Sequence, residues 1–304
     1  MKKDLLAIKD LTKTEIEGII DQAAALKENK DELRYKHRPL VGKTIGLIFE
    51  KASTRTRVSF EAAMFQLGGN VTFLSSRDTQ LSRNEPLSDT ARVLSRYLDG
   101  LVVRTFGQDV VEGLAANAAI PVINGLTDLY HPCQVLSDMM TVNEKKGPIE
   151  DLKVVWVGDG NNVAHSWIEA AALVGFSLTL ACPKGYYPRT EILEPARRRA
   201  PKLIEVTEDA KDACKDADVI NTDVWASMGQ EDQASERKKV FQPYQVNNEL
   251  LMCAKKDCIV LQCLPAHRGE EITDEVLEGS QSVVFDQAEN KLHVHKAILV
   301  KMIK

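Results

Sequence analysis

Short apolar runs alternate with amphipathic segments along most of the chain. The runs Lys43–Glu50 and Val154–Val157 are rich in β-branched residues, as buried strands are. Behind the first run, apolar residues recur at the i, i+3, i+4, i+7 spacing of one helix face, at Phe60, Ala63, Met64 and Leu67. Regular alternation of strand and helix is typical of parallel sheets with crossover helices. We therefore predict an α/β fold with two doubly wound parallel-sheet domains joined by interdomain helices.

The rhythm of strand and helix occurs twice, and a chain of 304 residues is long enough for two domains of ordinary size. We place the first domain at about 1–140 and the second at about 141–288. A final helix at 289–304 is predicted to pack back on the first domain. After Asp223, a polar and charged stretch continues to Lys239 without clear periodicity, which predicts a lid or a disordered loop.

The composition, with 44% hydrophobic and 27% charged residues, is typical of a soluble globular protein. The net charge of −5 gives no reason to expect a nucleic-acid partner. There is no apolar run of about 18 residues, so we expect no membrane span, and the N-terminus lacks the apolar core of a signal peptide. Six scattered cysteines suit a reducing cytoplasm better than a disulfide framework, and their spacing predicts no metal site.

Three hydroxyl side chains and two arginines follow the first strand, where the helix begins: Ser53, Thr54, Arg55, Thr56 and Arg57. The first turn of a helix presents free backbone N–H groups and the positive end of the helix dipole, so it attracts anions. Hydroxyls add short hydrogen bonds, and arginine adds a planar fork that matches phosphate oxygens. A capped helix with surface arginines would need fewer such residues. We therefore predict a phosphate site.

Further polar residues are predicted to lie near this phosphate site. Arg104 ends an apolar strand, and ligands of open α/β sheets bind beyond the carboxyl ends of strands, so Arg104 is placed to assist Arg55. The alternative is a solvated arginine at a strand end. His131 and Gln134 lie on either side of the start of a helix, where Pro132 presets the first turn. Because they are three positions apart, they can face the same cavity.

A glycine-rich turn, Gly158-Asp-Gly-Asn-Asn162, follows the first strand of the second domain. It is similar to a dinucleotide-binding turn, but Val163 occupies the position of the third glycine. The next strand also ends without the acidic residue that would bind a ribose. A nicotinamide cofactor is therefore disfavoured. The simpler interpretation is a tight strand-to-helix turn with asparagine side chains available for hydrogen bonding.

Four motifs occur in the order and spacing of the carbamoyltransferase family, which the chain resembles over essentially its whole length. They are Ser-Thr-Arg-Thr-Arg at 53–57, His-Pro-Cys-Gln at 131–134, Asp-Val-Trp-Ala-Ser-Met-Gly at 223–229 and Cys-Leu-Pro at 263–265. The last two resemble the ornithine-specific branch in particular. The resemblance implies carbamoyl transfer from carbamoyl phosphate to L-ornithine, giving L-citrulline and phosphate as in arginine biosynthesis, with no metal or organic cofactor.

The resemblance also implies which residues contact carbamoyl phosphate. They are Ser53, Thr54, Arg55, Thr56, Gln80, Arg104, His131, Gln134, Cys263, Leu264 and Lys291. Among them, Arg104, His131 and Gln134 would contact the carbamoyl group and polarise its carbonyl. Gln80 lies in a long polar loop that in the family reaches across a subunit boundary. This implies a homotrimer with sites shared between subunits.

For the ornithine acceptor, the resemblance implies contacts from Asn162, Asp223, Ser227 and Met228. A carboxylate such as Asp223 suits the α-ammonium group. The δ-amine must lose a proton before it attacks, and the resemblance gives Cys263 the orienting or proton-accepting role. From its position alone, a cysteine at a strand end is more often a buried filler. With Arg104 and His131, Asp223 and Cys263 complete the implied catalytic set.

The chain departs from the family's pattern at two positions. Gln262 stands where the family usually has a histidine before Cys-Leu-Pro, so an imidazole that could tune the Cys263 thiol is replaced by an amide. Lys291 stands where the family usually has an arginine, which keeps the charge but loses the bidentate fork. We expect weaker binding of carbamoyl phosphate rather than inactivity, because neither change removes a group that carries the reaction.

Two alternatives remain open at the level of sequence. One is the same chemistry on another amine, such as putrescine, N-acetylornithine or aspartate. The other is a weakly active paralogue that binds a metabolite and acts through its partners, for which Gln262 and Lys291 are the only support. The intact motifs at 53–57, 131–134 and 223–229 argue against that second alternative.

Overall fold

The computed structural model describes residues 3–29, 38–75, 85–226, 229 and 231–303. The chain forms two compact units. The first combines Met1–Met140 with Glu289–Lys304, and the second is Thr141–Ala288. Each unit is built on a parallel sheet with helices, so the predicted α/β fold class is confirmed.

A four-stranded parallel sheet forms the centre of the first unit, with strand order β2-β1-β3-β4. The strands are β1 (Thr44–Phe49), β2 (Asn70–Ser75), β3 (Gly100–Arg104) and β4 (Val122–Leu126). The helices are α1 (Lys13–Glu28), α2 (Thr54–Leu67), α3 (Leu87–Leu94), α4 (Gln108–Asn117) and α5 (Pro132–Lys146), and a 3-10 turn covers Ile8–Asp10. The predicted apolar face of α2 is buried, and Gly68 ends this helix in the left-handed conformation at φ 93°.

A five-stranded parallel sheet forms the centre of the second unit, with strand order β7-β6-β5-β8-β9. The strands are β5 (Lys153–Val157), β6 (Ser177–Ala181), β7 (Ile204–Thr207), β8 (Val219–Thr222) and β9 (Ile259–Gln262). The helices are α6 (Asn162–Val174), α7 (Thr190–Arg199), α8 (Ala210–Cys214), α9 (Ala234–Phe241), α10 (Asn248–Leu251) and α11 (Asp274–Leu277). Three 3-10 turns cover Ile149–Asp151, Glu231–Gln233 and Gln242–Tyr244.

The last helix, α12 (Val284–Met302), begins earlier than the predicted position 289. Its residues from Glu289 onward belong to the first unit. Both divisions between the units therefore fall inside helices, one in α5 and one in α12. Among the helices of the described ranges, none is long and apolar enough to cross a membrane.

The polar stretch that was predicted to be a lid or a disordered loop contains helix α9. The expectation of a loop was wrong for 234–239, which are helical. Two of the eight residues of α9, Arg237 and Phe241, are buried, and they are one helical turn apart. Two buried positions in so short a helix produce no periodicity that stands out from a loop.

The order of the strands decides which loops meet at the carboxyl edge of each sheet. In the first sheet, β1 and β3 are neighbours, and Phe49 pairs with Arg104 at their ends. In the second sheet, Thr222 at the end of β8 pairs with both Val157 of β5 and Gln262 of β9. The residues that follow these strands are therefore brought together in each unit.

Candidate functional site

The predicted phosphate turn joins β1 to α2 in the first unit. Ser53 is the N-cap of α2, and its hydroxyl accepts a hydrogen bond of 3.3 Å from the backbone N–H of Thr56. The backbone N–H of Glu50 donates to the carbonyl of Arg104 at 2.9 Å, which ties the turn to the end of β3. Arg55 and Thr54 lie at the helix start with surface open to solvent, so their side chains are available to a ligand.

Arg57 belongs to the same sequence motif but has other partners. Its Nε donates to the carboxylate of Glu61 at 2.9 Å, and its guanidinium lies 3.6 Å from the ring centroid of Phe73. These contacts hold Arg57 along the side of α2. The guanidinium of Arg57 is therefore already engaged within the first unit, unlike that of Arg55, which is exposed at the helix start.

Arg104, His131 and Gln134 are all buried in the first unit, at 6%, 4% and 2% exposure. The alternative of a solvated arginine at the strand end is therefore wrong. Helix α5 begins at Pro132, as predicted from the rigid proline. Burial, followed by the charges of Lys291 and Arg104, holds the pKa of His131 well below its usual range. His131 is therefore a neutral imidazole at neutral pH.

Lys291, in α12, joins this group through Gln134. Its ammonium group donates a hydrogen bond of 2.9 Å to Oε1 of Gln134, and both side chains are buried. Nε2 of Gln134 in turn donates to Oδ1 of Asp138 at 2.8 Å. These two bonds fix the orientation of the amide. This group of the first unit thus combines the buried cations Arg104 and Lys291 with a neutral imidazole and an oriented amide, a set suited to an anionic, carbonyl-bearing ligand.

The second unit brings together residues that follow β5, β8 and β9. The Cys263 thiol donates to Oδ1 of Asp223 across 3.3 Å, and Nδ2 of Asn161 donates to Oδ2 of Asp223 at 2.8 Å. Burial raises the pKa of Asp223, and the hydrogen bonds that the carboxylate accepts oppose the rise. The structure thus places the predicted pair Asp223 and Cys263 in direct contact.

The sequence assigned the asparagine contact of this site to Asn162, the first residue of α6. Its neighbour Asn161 is the N-cap, whose Oδ1 accepts from the backbone N–H groups of Val163 and Ala164 at 2.9 and 3.2 Å. The side chain of Asn161 therefore has two roles: its Nδ2 orients the Asp223 carboxylate, and its Oδ1 caps the N-terminus of α6. The preference for asparagine at N-caps could have singled it out.

Gln262 organises the turn that carries Cys263 and Leu264. Its Nε2 donates to Oε1 of Glu271 at 3.0 Å and to the carbonyl of Pro265 at 3.1 Å, and its Oε1 accepts from the backbone N–H of Leu264. The Leu264–Pro265 peptide bond is cis. Burial raises the pKa of Glu271 to about 7. An amide that both donates and accepts can satisfy all these partners at once.

Lys51 is a further buried residue, and no sequence motif marks it. It lies between β1 and the phosphate turn and forms an ion pair with Asp128. Its Nζ is 4.3 Å from the ring centroid of Phe106. Asp128 lies three positions before His131, the first residue of the His-Pro-Cys-Gln motif. The ion pair therefore links the phosphate turn to that motif. A lysine between an apolar strand and a helix cap gives no sequence signal of burial.

Gln80, Ser227 and Met228 lie outside the described residues. Within the described ranges, no group of three or more histidine, cysteine, aspartate or glutamate side chains could hold a metal ion. The six cysteines all lie in those ranges, and none of them forms a disulfide.

Comparisons with known proteins agree over the whole chain. Residues 3–144 match the family model for the "Aspartate/ornithine carbamoyltransferase, carbamoyl-P binding domain", and residues 150–302 match that for the "Asp/Orn binding domain". The chain is 61% identical to an ornithine carbamoyltransferase of Desulfotalea psychrophila over 303 residues, covering 100% of both chains. It is 53% identical to one of Geobacter sulfurreducens, again over 100% of both.

Solved structures lead to the same family. An ornithine carbamoyltransferase from Pyrococcus furiosus is similar with a TM-score of 0.95 at 50% identity, covering 99% of this chain and 97% of that one. One from Campylobacter jejuni is similar with a TM-score of 0.92 at 40% identity, covering 99% and 98%. This chain therefore belongs to the aspartate/ornithine carbamoyltransferase family.

Proposed function

We propose that this protein transfers the carbamoyl group of carbamoyl phosphate to the δ-amine of L-ornithine, giving L-citrulline and phosphate, in arginine biosynthesis. The observation that carries the proposal is the 61% identity, over the whole of both chains, to a protein named ornithine carbamoyltransferase. The contact between Cys263 and Asp223 adds support from the chemistry of the site.

Carbamoyl phosphate is bound by the first unit in this proposal. Its phosphate lies at the start of α2, against Ser53, Thr54, Arg55 and Thr56, where free N–H groups and the helix dipole favour an anion. Arg104 and neutral His131 polarise the carbonyl, so negative charge that develops on its oxygen is stabilised. Gln134 contacts the carbamoyl group through the amide that Lys291 and Asp138 orient.

Ornithine is bound by the second unit, with Asp223 pairing with its α-ammonium group and Asn162, Ser227 and Met228 completing the contacts. The δ-amine gives up a proton, and its lone pair attacks the carbamoyl carbon. The bond from that carbon to the phosphate oxygen then breaks. Cys263 takes the orienting or proton-accepting role towards the δ-amine, and the hydrogen bond to Asp223 holds its thiol in place.

A homotrimer with shared sites is part of the proposal, with Gln80 of one subunit reaching carbamoyl phosphate of the next. Two apolar side chains on one face of α2 support an interface there, because Val58 and Phe65 are 54% and 70% exposed. We also propose a cytoplasmic location, since six cysteines without a disulfide suit a reducing compartment.

The test is an assay with carbamoyl phosphate and each of L-ornithine, putrescine, N-acetylornithine and L-aspartate, measuring the carbamoylated product. We expect turnover with ornithine alone. If the protein turns over another amine faster than ornithine, that amine replaces ornithine as the proposed acceptor. A folded protein that turns over none of the four amines would overturn the proposed activity. Sedimentation velocity on the same sample checks the trimer, which a monomer at working concentration would contradict.

A further inference from the structure

Arg237 of α9 is a buried arginine that the carbamoyl transfer chemistry does not use. Only 4% of its surface is exposed. Its guanidinium forms an ion pair with Asp159, and its Nε donates to the backbone carbonyl of Trp225. The same guanidinium lies 4.8 Å from the ring centroid of Tyr186 and 5.1 Å from that of Phe241.

These contacts join three segments that sequence separates. Asp159 lies in the glycine turn after β5, and its backbone carbonyl accepts from Nε1 of Trp156 at 2.8 Å. Two residues later, Asn161 donates to Asp223. Trp225 follows Asp223 by two positions. Arg237 therefore contacts the segment after β8 through Trp225 and the glycine turn through Asp159, and Asn161 of that turn binds Asp223.

A buried guanidinium is costly unless it is paired and hydrogen-bonded, and a packed apolar side chain would often be as stable. The planar guanidinium of arginine holds a carboxylate and a backbone carbonyl at a fixed separation, and an apolar side chain cannot do this. The aromatic faces of Tyr186 and Phe241 restrict the guanidinium plane further. The arrangement is therefore better suited to fixing geometry than to adding stability.

We propose that Arg237 is a positioning residue of the acceptor site, which holds the segment after β8 against the Asp159 turn and so orients Asp223 for the amine substrate. This inference rests on the proposed function. The predicted effect of losing Arg237 differs between the two substrates. Loss of Arg237 weakens the use of ornithine, whereas the carbamoyl phosphate contacts of the first unit keep their own geometry.

Steady-state kinetics of Arg237→Met, Arg237→Lys and the control Lys238→Met test the inference. Lys238 is the next residue in α9 and pairs on the surface with Glu270 at 3.1 Å. For Arg237→Met we expect the KM for ornithine to rise about tenfold or more and the KM for carbamoyl phosphate to stay within about twofold. Arg237→Lys should be intermediate, since one ammonium group replaces the two-sided fork. Lys238→Met should match the wild type.

An unchanged ornithine KM in Arg237→Met would overturn the inference, and so would an equal rise in both KM values, which a merely structural role would produce. If Arg237→Met does not fold, Arg237→Lys and Asp159→Asn decide on the same criteria. Asp159→Asn is isosteric but removes the carboxylate, so it should also raise the ornithine KM selectively.

A second readout keeps this inference separate from the proposed activity. Cleavage after Glu236 by a glutamate-specific protease reports the opening of α9, whether or not the enzyme turns over. We expect Asp159→Asn to be cut at least about fivefold faster than the wild type, because the ion pair that ties Arg237 to the Asp159 turn is lost while the Glu236–Arg237 bond is the same in both proteins. Equal cleavage rates would overturn the inference even if ornithine is the substrate. If the wild type fails to carbamoylate ornithine, the proposed function fails and the protease result still tests the tether.

Discussion

The ammonium group of Lys291 donates a hydrogen bond of 2.9 Å to the amide oxygen of Gln134. Lysine stands here in place of the arginine that the family resemblance led us to expect. The lysine still acts on its neighbours in the first unit, because its hydrogen bond orients the Gln134 amide and its charge helps to lower the pKa of His131. A single ammonium group nevertheless cannot offer the two parallel donors of a guanidinium.

Replacing Lys291 separates the contribution of its charge from that of its geometry. Lys291→Met should raise the KM for carbamoyl phosphate about tenfold, because it removes a buried cation and leaves Oε1 of Gln134 without its donor. Lys291→Arg should lower that KM by about threefold through the added fork. Initial rates at saturating ornithine measure both effects. A Met variant with the wild-type KM would show that Lys291 does not act on this substrate.

Gln262 is predicted to hold the Cys263–Leu264 turn rather than to exchange protons. Gln262→Leu leaves the Leu264 N–H and the Glu271 carboxyl without this partner, so we expect a loss of about 2–3 kcal/mol in stability and a lower kcat. Gln262→His restores part of the hydrogen bonding and adds a group that titrates near neutral pH. Its pH–rate profile should therefore gain an ionisation that the wild type lacks. Gln262→Leu with the kcat and the free energy of unfolding of the wild type would contradict the role of Gln262 in holding the turn.

The buried Glu271 carboxyl should make the stability of the protein depend on pH. Its pKa is raised from 4.5 to about 7 by burial, so folding favours the protonated form. The stabilisation is complete below the unfolded value of 4.5 and is lost as the pH rises through about 7. A shift of this size corresponds to at most about 3 kcal/mol.

Glu271→Gln keeps the shape of the side chain and cannot ionise. The stability of this variant relative to the wild type should therefore improve between about pH 5 and about pH 8, by up to about 3 kcal/mol. Urea denaturation at both pH values measures the difference. Parallel changes in the two proteins would show that this carboxyl does not titrate in that range.

Gly160 is required where the chain passes close to another backbone segment. A Cβ at this position would lie 2.2 Å from the backbone N of Pro188 and 2.5 Å from the carbonyl carbon of Tyr187. We expect Gly160→Ala to destabilise the protein by about 2–4 kcal/mol, because backbone atoms cannot move aside as side chains can.

Gly18 provides a matched control inside helix α1. Among the described residues, no atom beyond the local helix backbone lies within 4 Å of the place that a Cβ of this residue would take. Gly18→Ala should stabilise the protein by about 0.5–1 kcal/mol, as alanine does in a helix interior. Thermal unfolding of both variants gives the comparison. A tolerated Gly160→Ala would mean that the two segments can separate to admit a methyl group.

Local patterns in the sequence were sufficient to predict the fold class and the start of α2 and α5. Strand and helix periodicity, the hydroxyl and arginine cluster at 53–57 and the rigid Pro132 are all properties of neighbouring residues, so they can be recognised without knowing the fold. The motifs that carry the family resemblance are equally local. The candidate residues Ser53, Arg55 and Cys263 could therefore be named in advance.

Only the tertiary structure decided which of these pieces meet. The β1–β3 pairing brings Arg104 beside the phosphate turn, and the β8–β9 pairing brings Asp223 beside Cys263. Arg237 and Asp159 are 78 positions apart, and no local pattern marks either of them as half of a buried pair. The physical reason is that burial and pairing depend on contacts between distant segments. The sequence determines these contacts only through the completed fold.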